Sequence, residues 1–253
     1  MIGLIGGTGT KSILDNYDTI ETKTIDTKYG KSLEISIIEV ESKKVAYMPR
    51  HSKGHSVPPH KINYRANIEA LDMLGVNKVF ATNAVGSLDT NIKPGDILIA
   101  DNFIDFTHGR NNTFFDEEVV HIDATKPFCD DLRSNLTSSG DVHPYGVYIS
   151  TQGPRFETKA EIDFYRLIGG KVVGMTLTPE VILAREKQMC YASVCVISNY
   201  AASISPTKLT ISEVSEAMDE ASERLINLIA SAIKKTDTDY VCECQSILDD
   251  AII

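Results

Sequence analysis

Short apolar runs alternate along the chain with segments of helical periodicity. We predict strands where apolar and β-branched residues run together, and helices where apolar residues recur every three to four positions. The predicted strands cover residues 2–5, 33–40, 44–48, 78–84, 96–99, 142–150, 172–175 and 189–197. The predicted helices cover residues 63–74, 160–168, a segment from 178, and 211 to about 234. This alternation predicts an α/β fold, with a mixed central β-sheet flanked by helices.

Two of the helices begin with recognisable capping signals. Proline suits the first helical position, so Thr178-Pro179-Glu180 predicts a helix with Thr178 as its N-cap. Thr210 followed by Glu213 fits a capping box, which opens the last, long amphipathic helix. No repeat, low-complexity segment or linker interrupts the chain, so we predict that residues 1–253 form a single domain.

Composition and charge narrow the class of partner. The chain has 253 residues, 42% of them hydrophobic, which suffices for a sizeable core. Its net charge of −10 repels polyanions, so we expect neither nucleic acid nor an anionic membrane as a partner, while a small anion stays allowed. No signal-peptide pattern and no apolar run near the roughly 20 residues that span a bilayer is present, so the expected location is cytoplasmic.

The five cysteines are too few for a disulfide scaffold. Cys129, Cys190 and Cys195 are scattered, and we expect them to be buried structural thiols. Cys242 and Cys244 form a Cys-x-Cys pair, but two ligands do not make a zinc site and no second pair lies nearby in the sequence. We therefore expect no metal, with a disulfide as the alternative for this pair.

A glycine-rich turn follows the first predicted strand, at residues 6–9. Glycines allow backbone N–H groups to approach an anion, and the Thr8 hydroxyl adds a donor. Thr10 separates Gly9 from Lys11, which excludes a Walker A loop, and Ser12 occupies the third glycine position of a dinucleotide fingerprint. By itself the turn fits an anion site or an ordinary strand end.

A cationic segment follows the third predicted strand. Arg50 offers a planar fork suited to phosphate or carboxylate. His51 and His55 would share a face only on a helix, which Gly54 and the prolines at 58 and 59 disfavour, and no carboxylate completes a ligand set. These residues therefore favour an anion site over a metal site, with a solvated loop as the alternative.

Four further segments place polar residues where strands are predicted to end, at positions 81–87, 153–158, 174–176 and 198–201. Ligands of open α/β sheets bind at the carboxyl ends of strands. Each segment alone fits a turn equally well, and Phe156 alone fits a core position.

Taken in order, these segments resemble the nucleoside phosphorylases, the family that includes methylthioadenosine phosphorylase and the trimeric purine nucleoside phosphorylases. The resemblance runs from Gly3 to about Ser205. Its most specific parts are residues 5–9, 50–51, 83–88, 153–157 and 174–181.

The resemblance implies a role for individual residues. The phosphate site it implies consists of Thr8, Arg50, His51, Asn83, Ala84 and Thr176. The nucleoside site it implies consists of Met175 under the ribose, Phe156, Glu157, Asn199 and Ala201 around the base, and His55 with His121 of a neighbouring subunit at the 5′ end. Arg50, His51 and Asn199 would carry the catalysis. The family works as trimers or as hexamers of two trimers, with phosphate as co-substrate and with no metal or organic cofactor.

The sequence differs from methylthioadenosine phosphorylases around the base pocket that the resemblance implies, and this difference predicts which purine base the substrate carries. Methylthioadenosine phosphorylases carry aspartates at the positions of Asn199 and Ala201, whereas the 6-oxopurine branch has an asparagine at the first and a glutamate at the position of Glu157. The amide can donate to O6 or N7 and the carboxylate can accept from N1–H, and a mismatched buried pair costs about 1–3 kcal/mol.

We therefore predict a purine salvage enzyme that converts inosine or guanosine and phosphate to the free base and ribose 1-phosphate. The alternatives are a methylthioinosine or methylthioadenosine phosphorylase, a nucleoside hydrolase, and a non-catalytic protein that binds nucleosides or anions. The hydrolase would need an aspartate-bound cation, for which the sequence offers no aspartate-rich cluster.

Overall fold

The computed structural model describes residues 1–8, 14, 16–52, 54, 56–204, 211–249 and 251, without the side chains of residues 211–215. The strands among these residues are β1 (Ile2–Gly6), β2 (Thr19–Lys23), β3 (Asp26–Thr27), β4 (Gly30–Lys31), β5 (Ile35–Val40), β6 (Lys43–Pro49), β7 (Lys78–Ser87), β8 (Ile97–Ile99), β9 (Asn102–Asp105), β10 (Val147–Ser150), β11 (Gly170–Gly174) and β12 (Cys190–Tyr200). The helices are α1 (Tyr64–Met73), α2 (Asp130–Thr137), α3 (Lys159–Leu167), α4 (Glu180–Glu186) and α5 (Ile211–Lys235), with 3₁₀ turns at Pro59–Lys61 and Glu243–Ser246.

Ten of the described strands form one mixed sheet, which confirms the predicted α/β class with a central sheet flanked by helices. The strand order is β2-β5-β6-β1-β7-β11-β10-β9, and β12 pairs with both β7 and β8. Within the described residues, no helix is both long and apolar enough to cross a membrane.

Strand β7 is the hub of the sheet. One of its edges pairs with parallel β12 from Lys78 to Ser87. Its other edge pairs with parallel β1 only as far as Ala81, and with antiparallel β11 only at Gly86 and Ser87. The carboxyl ends of β1 and β11 therefore point toward each other across residues 82–85 of β7. We call this gap in the pairing the β7 notch.

Both faces of the sheet are buried, because side chains of one strand alternate between two apolar clusters. In β12, Tyr191 and Cys195 belong to the cluster that packs against α1 and α4, whereas Ala192 and Val194 belong to the cluster that packs against α2 and α5. Burial on both faces explains why the central strands are continuous apolar runs in the sequence.

Among the predicted boundaries that differ from the structure, two lie at the start of α4 and at the start of β10. Helix α4 begins at Glu180 with Pro179 as its N-cap, so the prediction that Thr178 caps this helix is wrong. The Thr178 hydroxyl donates a hydrogen bond to Asp105 (3.0 Å) and is thereby withdrawn from the helix. The strand predicted over residues 142–150 begins only at Val147. The Thr210 cap predicted for α5 lies outside the described residues.

Candidate functional site

A cavity of about 260 Å³ opens at the β7 notch. The lining belongs to β7, to the ends of β11 and β12, to the segments that follow β1, β6, β11 and β12, to the loop between β10 and α3, and to the 3₁₀ turn that begins at Pro59. The lining residues are Gly7, Thr8, Arg50, His51, Pro59, Ala84, Val85, Gly86, Pro154, Phe156, Glu157, Val173, Gly174, Met175, Thr176, Ser198, Asn199, Ala201 and Ala202.

Most of the residues singled out from the sequence lie in this one lining. Asn83 lies behind the wall and is 1% exposed. His121 lies outside this cavity, and its backbone N–H donates to Ala251 O (2.8 Å). Because the prediction assigns His121 to the pocket of a neighbouring subunit, its role stays a prediction. His55 lies outside the described residues.

The turn after β1 is shaped by the lack of a side chain at Gly7. The backbone N–H of Gly7 donates to the Thr82 hydroxyl (2.8 Å) in the β7 notch. A Cβ at Gly7 would lie 2.5 Å from Thr82 O and 3.1 Å from the Arg50 Nη1 atom. Only glycine therefore brings the turn, β7 and the guanidinium together at this distance.

Arg50 is fully buried at the floor of the cavity. Its Nε and Nη2 groups donate to the two carboxylate oxygens of Glu180, both at 2.7 Å, and Nη1 donates to Thr82 O at 2.7 Å. The contacts made with described residues thus use three of the five N–H groups of the guanidinium. Glu180 and Thr82 O accept from these three groups, and the other two N–H groups of Arg50 are the ones that a ligand in the cavity can bind.

Glu180 fixes both the orientation and the charge of this arginine. One of its oxygens also accepts from the Tyr191 hydroxyl (2.7 Å). Burial alone would lower the pKa of Arg50, but the charge and hydrogen bonds of Glu180 outweigh burial and raise the pKa. The guanidinium therefore stays charged in the cavity floor. Glu180 lies within the segment that carried the resemblance, but its pairing with Arg50 spans 130 positions and leaves no local pattern.

His51 and Thr176 are held by partners behind the wall. The His51 Nδ1 atom lies 2.8 Å from Val57 O, and since a carbonyl only accepts, Nδ1 carries a proton. The Thr176 hydroxyl donates to the Asn83 side-chain oxygen (2.8 Å), and the Asn83 amide nitrogen donates to the Ser193 hydroxyl (2.9 Å).

The Thr176–Asn83–Ser193 chain allows a second proton arrangement with the same heavy-atom positions. If the Asn83 amide is turned over, its nitrogen donates to Thr176 and its oxygen accepts from the Ser193 hydroxyl. The Thr176 proton is then directed to a ligand. Asn83 therefore sets whether Thr176 offers the cavity a donor or an acceptor.

At the opposite end of the cavity, Asn199 has one fixed amide orientation. Its Nδ2 group donates to Tyr200 O (2.8 Å), which can only accept, and its oxygen accepts from the Ser198 hydroxyl (2.7 Å). One N–H of the amide remains for a ligand. A Cβ at Gly86 would approach Asn199 Nδ2 to 3.2 Å, so the glycine keeps room for this amide.

Glu157 is partly buried and accepts a hydrogen bond from the Thr151 hydroxyl (2.8 Å). Burial raises the pKa of its carboxyl group, against the opposing effect of that hydrogen bond. The ring of Phe156 next to it is 44% exposed and forms part of the cavity rim.

Arg110 is a positioning residue that the sequence did not indicate. Its guanidinium donates to Met175 O (2.9 Å), Thr178 O (2.7 Å) and Gln152 O (2.9 Å). It thus ties the loop after β11 to the loop that carries Phe156 and Glu157. Arg110 belongs to an irregular segment without hydrophobic periodicity, so only the three-dimensional contacts identify it.

Comparisons with known proteins find a matching family model and several similar chains. Residues 1–234 match the family model described as the phosphorylase superfamily. A probable S-methyl-5′-thioinosine phosphorylase of Methanothermobacter thermautotrophicus is 53% identical over 98% of this chain and 89% of its own. A 6-oxopurine nucleoside phosphorylase of Pyrococcus furiosus is 46% identical over 99% of this chain and 98% of its own. The structure of methylthioadenosine phosphorylase from Schistosoma mansoni with adenine superposes with a TM-score of 0.93 at 29% identity, covering 99% and 98% of the two chains.

The buried Arg50–Glu180 pair should make Glu180→Gln strongly destabilising. The substitution leaves a buried guanidinium without its counter-charge, and we expect the free energy of unfolding to fall by about 3–5 kcal/mol. Chemical denaturation measures this loss. The control is Asp163→Asn, which removes the exposed ion pair with Lys159 and should cost less than about 1 kcal/mol. Equal, small losses in both variants would contradict the importance of the buried pair.

Proposed function

The chain belongs to the phosphorylase superfamily and is a nucleoside phosphorylase, and we propose that it cleaves 6-oxopurine nucleosides with inorganic phosphate, giving the free base and ribose 1-phosphate. The observation that carries the proposal is the fixed amide of Asn199 in the same cavity as the Glu157 carboxylate. A 6-oxopurine needs one donor for O6 or N7 and one acceptor for N1–H, and these two side chains provide that combination.

Phosphate would bind at the notch. Arg50 provides a permanent positive charge there, and Thr8, His51, Ala84 and Thr176 line the same cavity. With the Asn83 amide turned so that it donates to Thr176, the threonine hydroxyl donates to a phosphate oxygen. Asn83 acts in this proposal through Thr176, because it is buried behind the wall.

The reaction would depend on charge and position. Cleavage of the glycosidic bond develops positive charge at C1′, which an adjacent phosphate dianion stabilises. The phosphate oxygen then forms the new bond to C1′ as the bond to the base nitrogen breaks, and the electron pair of that bond leaves with the purine. The remaining N–H of Asn199 stabilises this charge at N7 or O6. An amide is not an acid, so the proton that neutralises the base comes from solvent. Holding both reactants in place contributes much of the remaining acceleration.

Met175 would position the sugar between these two ends. It lines the cavity beside Thr176, and its backbone carbonyl is held by Arg110. A Cβ at Gly153, whose φ is +61°, would collide with the Met175 side chain, so the glycine also shapes this wall. His55 and a His121 from a neighbouring copy in a trimer or hexamer are our candidates for the 5′ end.

Methylthioinosine is the second candidate substrate, because the 53% identical relative carries that activity in its name. Methylthioinosine and inosine contain the same base, so both fit the Asn199 and Glu157 pair. They differ only at the 5′ carbon of the sugar.

A substrate panel tests the proposal: inosine, guanosine, adenosine, methylthioinosine and methylthioadenosine, each with and without phosphate. We expect release of base only with phosphate, and kcat/KM for 6-oxopurine nucleosides at least about 10²-fold above that for the 6-amino analogues. Release without phosphate would indicate a hydrolase. A preference for adenosine or methylthioadenosine would refute the assignment of the base.

Asn199→Asp should shift the preference away from 6-oxopurines. An aspartate repels O6 and lacks the NH₂ group, so kcat/KM for inosine should fall by about 10²-fold or more, as expected for about 3 kcal/mol. Activity on adenosine should gain less, because Glu157 still faces the N1 acceptor. The decisive quantity is the inosine-to-adenosine ratio of kcat/KM, with the exposed Asn112→Asp as the control. An unchanged ratio would exclude Asn199 from base recognition.

The raised pKa of Glu157 predicts an acidic limb in the pH profile. Its carboxyl group accepts from N1–H most strongly when ionised, so kcat/KM for inosine should be full above the pKa of Glu157. It should decline as pH falls through that pKa, which lies above the usual glutamate range. Glu157→Gln keeps a weaker acceptor, so we expect about tenfold lower kcat/KM and loss of this limb. The exposed Glu117→Gln should retain the wild-type profile. If the limb persists in Glu157→Gln, another group causes it.

A further inference from the structure

Four cysteines that are distant in sequence converge away from the nucleoside cavity. Cys129 precedes α2, Cys190 begins β12, and Cys242 and Cys244 lie at the 3₁₀ turn in the C-terminal tail. Their sulfur atoms all lie within 4.8 Å of one another. The sequence shows only the Cys242 and Cys244 pair, and the fold supplies the second pair.

The spacing of the sulfurs fits a tetrahedral metal site. Zinc–sulfur bonds of about 2.3 Å place the sulfurs of a tetrahedral site about 3.8 Å apart. The Sγ atom of Cys242 lies 3.9 Å from that of Cys129 and 3.2 Å from that of Cys190. Closure on a metal therefore requires shifts of well under an ångström for these pairs.

Two of the four sulfurs also face a cationic donor. Lys78 Nζ lies 3.8 Å from Cys190 Sγ, and Arg185 Nη1 lies 3.9 Å from Cys244 Sγ. A neutral thiol is a weak acceptor, whereas a metal-bound thiolate attracts such donors.

Two buried cations beside the four cysteines also favour a metal site, because a metal–thiolate cluster would be negatively charged. Lys78 and Arg185 are 0% and 7% exposed. Lys78 Nζ donates to Tyr240 O (2.8 Å) and Arg185 Nη2 donates to Asp123 O (3.1 Å), but among the described residues neither forms an ion pair with a carboxylate. Asp131 and Asp123 are near enough to interact with them electrostatically, but make no such pair. Buried charges need a counter-charge. A divalent metal with four thiolates carries −2, which balances these two cations, whereas four neutral thiols do not.

We propose that Cys129, Cys190, Cys242 and Cys244 bind one zinc ion in a closed, four-cysteine structural site. Binding replaces four S–H bonds by four Zn–S bonds and releases four protons to solvent. A site with four protein ligands leaves no open position for substrate, so its role is structural. It would fasten the C-terminal tail to α2 and β12, and through the hydrogen bond between Ala251 and His121 it would also hold the His121 segment.

Metal content of the wild-type chain gives the first test. The protein, produced in zinc-supplemented medium without an affinity tag and purified without chelator, should contain one zinc per chain by elemental mass spectrometry. Replacement by Co²⁺ should give the intense visible absorption of a tetrahedral tetrathiolate. Wild-type protein that lacks metal and takes up neither zinc nor Co²⁺ would overturn the proposal. So would an intact mass lower by two hydrogens per bridge in protein kept from added oxidant, which indicates disulfides.

Variants locate the site. Cys242→Ser should lose the zinc, whereas the matched control Cys195→Ser, at a buried cysteine of β12 outside the cluster, should keep it. Lys78→Met should weaken zinc binding roughly tenfold in competition with a chromogenic chelator, as expected for loss of an outer partner. Equal zinc content in Cys242→Ser and Cys195→Ser would place the metal elsewhere. If Cys242→Ser does not fold, the Co²⁺ spectrum of the wild type still decides the question.

Discussion

The gap in pairing along β7 is the constraint on which the site depends. Backbone groups buried in a sheet must find partners, and over residues 82–85 neither β1 nor β11 supplies them on one edge. The Arg50 guanidinium accordingly donates to Thr82 O, and the Gly7 backbone donates to the Thr82 hydroxyl. Side chains and turns thus complete the edge that a strand would otherwise cover. Since two strand ends also meet there, the same gap becomes a concave site lined by donors.

A buried charge in such a gap needs a counter-charge and a fixed orientation, and Glu180 provides both for Arg50. The bidentate pair leaves the arginine oriented and ionised with part of its hydrogen-bonding capacity unused. This explains how a chain with net charge −10 can offer a local site to an anion. The acidity of the surface and the cationic floor of the cavity are independent properties, because the floor is shielded from solvent by the sheet.

The sequence predicted the elements whose pattern is local, and it missed those whose stability comes from contacts elsewhere. The apolar runs of β1, β7 and β12 were evident because both of their faces are buried. Strand β2 was missed because it is an edge strand with mostly exposed residues, and α2 because it buries little besides Leu132 and Leu136. Among the cavity residues, ordered motifs pointed to Thr176 and Asn199. The support given by Arg110 and the meeting of the four cysteines depend on long-range contacts that no spacing encodes.

Arg110 joins the loop that carries Glu157 to the loop that carries Met175, by holding carbonyls of Gln152 and Met175 with one rigid guanidinium. A displacement of either loop is therefore transmitted to the other. Under the proposed function, selectivity for the base and selectivity for the sugar could therefore not be altered independently. In an evolving lineage, substitutions near Glu157 would show epistasis with substitutions near Met175, although the two side chains would contact different halves of the proposed ligand.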